Sequence, residues 1–192
     1  MTKLNNIPGN NNDRKTFTIS AFSENHIGLL NRITIIFTRR HVNIESLTVS
    51  GSAIPGIHKF TIVVNETVEK VEKVVSQIEK LVEVLRAFYH NEDEVIHQEI
   101  ALYKVPTKAL MESDQVEATV RKHHARILEV TPEFTVIEMT GHKEETQELF
   151  DELNKYGLLQ FTRSGRIAIT KSSQELFTKY MREVGNKTIE YA

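Results

Sequence analysis

Residues 16–49, TFTISAFSENHIGLLNRITIIFTRRHVNIESLTV, decide how this chain folds. Thr16 to Ser23 alternates in the manner of a strand. Glu24-Asn25-His26-Ile27-Gly28 is a tight polar turn, and Leu29 to Arg40 follows as an amphipathic helix. A break at His41-Val42 leads to a second strand, Asn43 to Val49. The helix is predicted to bury positions 29, 30, 33, 36 and 37, the spacing of one face, with Ile35 off that stripe. The turn sets a glycine where a helix begins. The first N–H groups of a helix have no helical carbonyl to bond, and they sit at the positive end of the helix dipole. Such a place holds a small anion, for example an amino-acid carboxylate, without a charged side chain.

Working outward, Gly51 to Gly56 is a turn-rich link. Phe60, Ile62 and Val64 share one face of the next strand. Val68, Val71, Val74, Val75, Ile78 and Leu81 recur at helical spacing behind a cap at Asn65 or Thr67. Val82 to Phe88 returns as a strand, which completes β-α-β-β-α-β over residues 16–89. Two helices on one face of a four-stranded antiparallel sheet bury both stripes, the ferredoxin-like arrangement.

The second half repeats that order. It runs as a strand to Val105 closed by Pro106, a helix from Ser113 to about His124, strands at Arg126–Val130 and Phe134–Thr140, and a helix over Lys143–Tyr156. Short strands at Leu158–Phe161 and Arg166–Thr170 follow. The expected division is a disordered leader over 1–14, a first domain over 15–90, a second over 94–172 and a tail helix over 173–192. The fold class is therefore α+β, two ferredoxin-like domains. Two small domains bury limited cores, so self-association is expected, with edge strands pairing in a dimer.

The 192 residues carry a net charge of −2, which favours neither nucleic acid nor an anionic membrane. There is no cysteine, which excludes disulfides, zinc ribbons, iron–sulfur clusters and thiol nucleophiles, and fits a reducing compartment. No apolar run approaches the ~20 residues of a membrane span. No nucleophile–base–orienter set, phosphate loop or dinucleotide fingerprint is present.

The turn Glu24 to Leu30 with the run Asn43 to Val49 resembles the ACT regulatory domain. More narrowly, those runs with Lys80 to Arg86, Ile127 to Pro132 and Arg163-Ser164-Gly165 resemble the regulatory (small) subunit of acetohydroxyacid synthase, also called acetolactate synthase. The resemblance spans residues 15–172. It implies a non-catalytic subunit that activates a large catalytic subunit and confers feedback inhibition by a branched-chain amino acid, commonly valine, in the cytoplasm. It also implies that thiamine diphosphate, a divalent metal and FAD belong to the large subunit, with none in this chain. ACT domains of this family pair side by side and bind effector between protomers. Carried onto this sequence, the pocket is Asn25, Gly28, Leu29 and Leu30 of one protomer, completed by Asn43 and Ile44 of the other. Where many ACT domains have proline before the turn glycine, this chain has Ile27, which loosens the empty turn.

The chemistry of these residues suits a zwitterion. Backbone N–H groups at 28–30 meet the carboxylate, the Asn25 and Asn43 carbonyls accept from the ammonium, and Ile44, Leu29 and Leu30 line a slot for a branched side chain. Plainer roles stand beside these. Both asparagines suit turns and caps, and Gly28 could relieve helix–sheet crowding. His123-His124 at a helix end cannot both face one ion, so a metal is not expected there. Glu144, Glu145 and Glu148 read as a solvated face, Glu92-Asp93-Glu94 as a linker, and Arg163 and Arg166 as a solvated hairpin. Three other functions stand beside the one the resemblance implies: an ACT sensor of another enzyme, an RNA-binding protein, and an acylphosphatase-like enzyme. RNA binding needs aromatic strands and a basic face. Acylphosphatase chemistry needs an arginine in the first turn, which residues 24–28 lack.

Overall fold

The computed structural model describes residues 14–112, 114–173 and 176–182. The expected leader falls almost wholly outside the described residues, as do Ser113 and much of the tail. The described chain forms two compact units, one from residues up to Ile96 with those from Ile169 onward, the other from His97–Ala168.

The first unit contains β1 (Lys15–Glu24), α1 (Leu29–Arg39), β2 (Ser46–Gly51), β3 (Ile57–Glu66), α2 (Val68–Ile78) and β4 (Val84–Asn91). The sheet order is β2-β3-β1-β4, with β1 antiparallel to both neighbours and β2 antiparallel to β3. Alternation explains one face: Phe17, Ile19, Ala21, Ile62 and Val64 point to the helices. Ile33 and Phe37 of α1 and Val71, Val74 and Ile78 of α2 meet them, each almost wholly buried. Each such side chain contributes about 1.5–3 kcal/mol on burial. Phe22 faces the other way and stacks on Phe177 of the helical residues 176–182, with ring centroids 4.1 Å apart.

Three local expectations change. Leu30 is exposed, so α1 buries 29, 33 and 37 rather than both leucines. Residues 43–45 are irregular and the strand starts at Ser46, although the Glu45 N–H already bonds the Val63 carbonyl at 2.8 Å. Val82 and Glu83 belong to a turn closed by the Val84 N–H on the Leu81 carbonyl, which pushes Val82 into solvent and delays β4 to Val84.

A single 3₁₀ turn at Glu92–Glu94 leads to β5 (Val95–Pro106), with Glu94 accepting from the Asn91 N–H at 2.8 Å. Thereafter come α3 (Thr107–Glu112), α4 (Asp114–Lys122), β6 (Arg126–Val130), β7 (Phe134–Gly141), α5 (Lys143–Asn154), β8 (Gln160–Arg163) and β9 (Ile167–Thr170). The second sheet has the order β6-β7-β5-β8, with β9 also paired to β5. Strand for strand this is the order of the first sheet, so the inferred architectural repeat is present. Its core joins Tyr103, Val105 and Ile137 to Val116, Leu149 and Leu153. α3 was not anticipated because six residues are too few to display a helical period. The solvated-hairpin reading of Arg163 and Arg166 is overturned. Arg166 is buried, and Arg163 donates to Gln147 at 3.2 Å and lies 3.8 Å from Glu99. The Glu145 side chain is not merely solvated either, since it accepts from the His142 N–H at 2.6 Å and starts α5.

Candidate functional site: the β1–α1 turn and the β2 edge

β1 ends where the Glu24 N–H bonds the Glu83 carbonyl at 3.0 Å. The chain then reverses through Asn25 to Gly28, and the His26 N–H returns to the Glu24 carbonyl at 3.1 Å. Gly28 has φ 82° and ψ −4° and occupies the N-cap of α1 without a side-chain cap. A Cβ built there meets nothing within 4 Å. Crowding therefore does not require the glycine; its left-handed backbone does. The open space in front of it is the approach that a ligand needs.

The donors of the turn are redistributed relative to expectation. The Leu29 N–H bonds the His26 carbonyl at 3.3 Å, and the Gly28 carbonyl accepts from Arg32 at 3.2 Å. The N–H groups of Leu30 and Asn31 have no carbonyl partner among the described residues. The free donors thus centre one residue later than the sequence suggested. The glycine alone does not point to Asn31, which only a count of orphan donors along the first turn reveals. The Leu29 side chain lies in the core at 1 % exposure and cannot line an open slot, whereas Leu30 at 45 % and the fully exposed Ile27 can. Asn25 is exposed with no hydrogen-bond partner among the described residues. Arg32, one turn along, is committed to Glu83, and its guanidinium holds the Glu83 carboxyl below the usual carboxylate range. What this turn can offer an anion is therefore backbone.

Asn43 and Ile44 precede β2. The Asn43 amide donates to the Glu45 carboxylate at 2.9 Å, which leaves the Asn43 carbonyl oxygen to accept. Glu45 adds a second acceptor beside it. Ile44 is half-buried against the first core.

Sheet register settles whether these two groups meet within one chain. Gly51 lies across from His58, which lies across from Ser23, so the turn end of β1 adjoins the far end of β2. Ser46 lies across from Val63, which lies across from Thr18. Five residue rows separate Ser23 from Thr18, about 17 Å at ~3.3 Å per residue. Asn25–Gly28 and Asn43–Ile44 therefore stand at opposite ends of the sheet. Among the described residues the β2 edge between them bonds only β3, and Val49 on it is 39 % exposed.

Elsewhere, His123 faces the Glu152 carboxylate of α5 at 3.2 Å, a partner from another helix that spacing along α4 cannot reveal. His124 has φ 51° and ends α4. No helix among the described residues is long and apolar enough to cross a membrane.

Comparison with known proteins agrees across both units. Residues 19–86 match the model of the AHAS small subunit-like ACT domain, and residues 98–172 match that of the small subunit of acetolactate synthase. The acetolactate synthase small subunit of Mycobacterium bovis is 30 % identical over 164 residues, 85 % of this chain and 97 % of that protein. That of Bacillus subtilis is 31 % identical over 166 residues, 86 % of this chain and 92 % of that protein. The crystal structure of the acetolactate synthase small subunit from Thermotoga maritima superposes with a TM-score of 0.76 at 25 % identity, covering 83 % of this chain and 99 % of that one.

Proposed function

The chain belongs to the acetolactate synthase small-subunit family, and from that premise we propose that it raises the activity of a large catalytic subunit and inhibits it when a branched-chain amino acid, valine first, binds between two copies of the first unit. The partner is the large subunit, which would hold thiamine diphosphate, a divalent metal and FAD, and the assembly works in the cytoplasm. The observation that carries the split site is the register: one chain holds the donor turn and the acceptor loop about 17 Å apart or more.

A second copy removes that separation. Antiparallel pairing of β2 with the β2 of a partner about a two-fold axis carries the start of one strand to the end of the other. Asn43 and Ile44 of the partner chain then come beside the Gly28 turn, and the exposed edge is satisfied in the same step. The ligand carboxylate meets the N–H groups of Leu30 and Asn31 at the positive end of α1. Its ammonium meets the Asn25 carbonyl and, across the interface, the Asn43 carbonyl with the Glu45 carboxylate. The branched side chain lies along Ile27, Leu30 and Ile44. No charged side chain competes for the carboxylate, because Arg32 is bonded to Glu83.

Feedback then amounts to a coupling free energy of about 1–3 kcal/mol between this interface and the contact with the catalytic chain. The test is co-expression with the cognate large subunit. Acetolactate formation is measured with and without this chain while valine, leucine and isoleucine are titrated. Stimulation with inhibition by one of the three supports the reading. Activity indifferent to the chain and to all three amino acids removes it.

A further inference from the structure

The helix layer of the first unit carries a second concave feature, far from the Gly28 turn. α1 ends at Arg39 with Arg40 as its C-cap, and Lys80 follows α2. Between the two helix ends lies a cavity of about 460 Å³ lined by Ile36, Arg39, Arg40, Gln77, Lys80 and Leu81. We propose that this cleft binds a small polyanion, a metabolite bearing a phosphate or several carboxylates, at a site separate from the amino-acid pocket.

Charge balance is the first argument. Helix C-termini favour nearby cations, and each carries about half a negative charge. Two such ends account for about one of the three positive side chains. No carboxylate among the described residues pairs with Arg39, Arg40 or Lys80, because the neighbouring Glu79 is bonded to Arg86 and Glu83 to Arg32. A surplus of about two positive charges remains for a ligand.

Geometry is the second. The Arg40 Nε donates to the Gln77 Oε1 at 2.8 Å. That bond fixes the edge of the guanidinium and leaves its remaining N–H groups, with the Gln77 amide N–H₂, as donors. Guanidinium forks match phosphate and carboxylate oxygens in pairs, while Lys80 adds a point charge. Ile36 and Leu81, both half-buried on the first core, supply an apolar floor. The volume falls in the range of small-ligand clefts, about 300–1,000 Å³. Concavity and a preset amide favour a small ligand over an acidic protein segment, which would need only a flat basic patch.

The full chain is titrated calorimetrically with inorganic pyrophosphate and, separately, with citrate at low ionic strength. Binding with a Kd below about 1 mM is expected for at least one probe, weakening as salt rises. Pyrophosphate alone assigns the phosphate class, citrate alone the polycarboxylate class, and both the shared polyanion class. Arg39→Gln with Arg40→Gln should weaken it at least about tenfold while the response to branched-chain amino acids persists. Lys80→Gln, at an exposed position, is the second variant and should act in the same direction without altering the melting temperature. Absence of binding by both probes overturns the proposal, as does binding that survives these substitutions. Loss of association with the catalytic subunit in the variants, without any probe binding, overturns it in favour of an acidic protein surface.

Discussion

Gly28 offers the sharpest test of the proposed site. Its φ of 82° lies in the left-handed region, and a Cβ there meets nothing within 4 Å. Substitution therefore costs backbone strain and no clash, about 1–2 kcal/mol for an ordinary residue. For a unit of this size that lowers the melting temperature by roughly 4–8 °C per kcal/mol. Asparagine tolerates left-handed backbone and should cost less. Gly28→Asp adds a negative charge facing the N–H groups of Leu30 and Asn31. At a few ångströms from a bound carboxylate, and partly screened by solvent, the repulsion is about 2 kcal/mol, or roughly thirty-fold in affinity. Gly28→Asn has nearly the same shape without the charge, so the difference between the two variants isolates the electrostatic part. The assay is inhibition of acetolactate formation by valine in the assembled enzyme, with melting temperature and sedimentation recorded for each variant. Gly28→Asp should lose inhibition and keep activation. A Gly28→Asp protein that is folded, dimeric and inhibited at the wild-type valine concentration would refute both the anion subsite and the role given to the turn.

Val49 lies on the exposed β2 edge, so Val49→Lys should set two like charges near the two-fold axis, shift sedimentation toward monomer, and abolish valine inhibition with it. Unchanged sedimentation would place the dimer contact elsewhere. Tyr103 is wholly buried, its hydroxyl donates to the Thr146 carbonyl at 2.6 Å, and burial pushes its pKa up to about 12. Tyr103→Phe should cost about 0.5–1.5 kcal/mol by denaturant unfolding, and the native ultraviolet titration should lose a tyrosine step near pH 12 in that variant. Glu83, Glu138 and Glu152 are held below the ordinary carboxylate value of 4.5, chiefly by hydrogen bonds from Arg32, Arg126 and Lys122. Carboxyls lowered in the fold stabilise above the unfolded pKa and lose that contribution as pH falls through the folded one. Melting temperature should therefore drop as pH falls below about 4.5, and less steeply in Glu83→Gln; equal slopes would show that the Arg32 pair carries none of it.

Much of this architecture was legible in residues 16–49 because two periods change at one glycine. Phe17, Ile19 and Ala21 alternate, then Leu29, Ile33 and Phe37 recur at helical spacing, and all six are buried. Periodicity names a face but not its ends. Leu30 fits the stripe only at its edge, about 100° around the helix from Leu29, and is exposed. The short α3 and the turn at Val82 were hidden for a related reason, since hydrogen bonds closed locally leave no hydrophobic pattern. At the site, the glycine and both asparagines could be chosen from the sequence. The partnering of Leu29 with His26, of Arg32 with Glu83 and of Asn43 with Glu45 could not, because each depends on where the backbone turns. The cleft at Arg39, Arg40 and Lys80 joins residues some forty positions apart, which no local reading connects.

The offset between the two ends of β2 reaches further than geometry. If neither chain alone can enclose the metabolite, then ligand occupancy and protomer association are one linked equilibrium, and each must strengthen the other by the same factor. Sensitivity to the end product is then set by how much of the subunit the cell makes. A diluted preparation would go deaf to valine before it lost its fold, and a valine-saturated one would resist dilution.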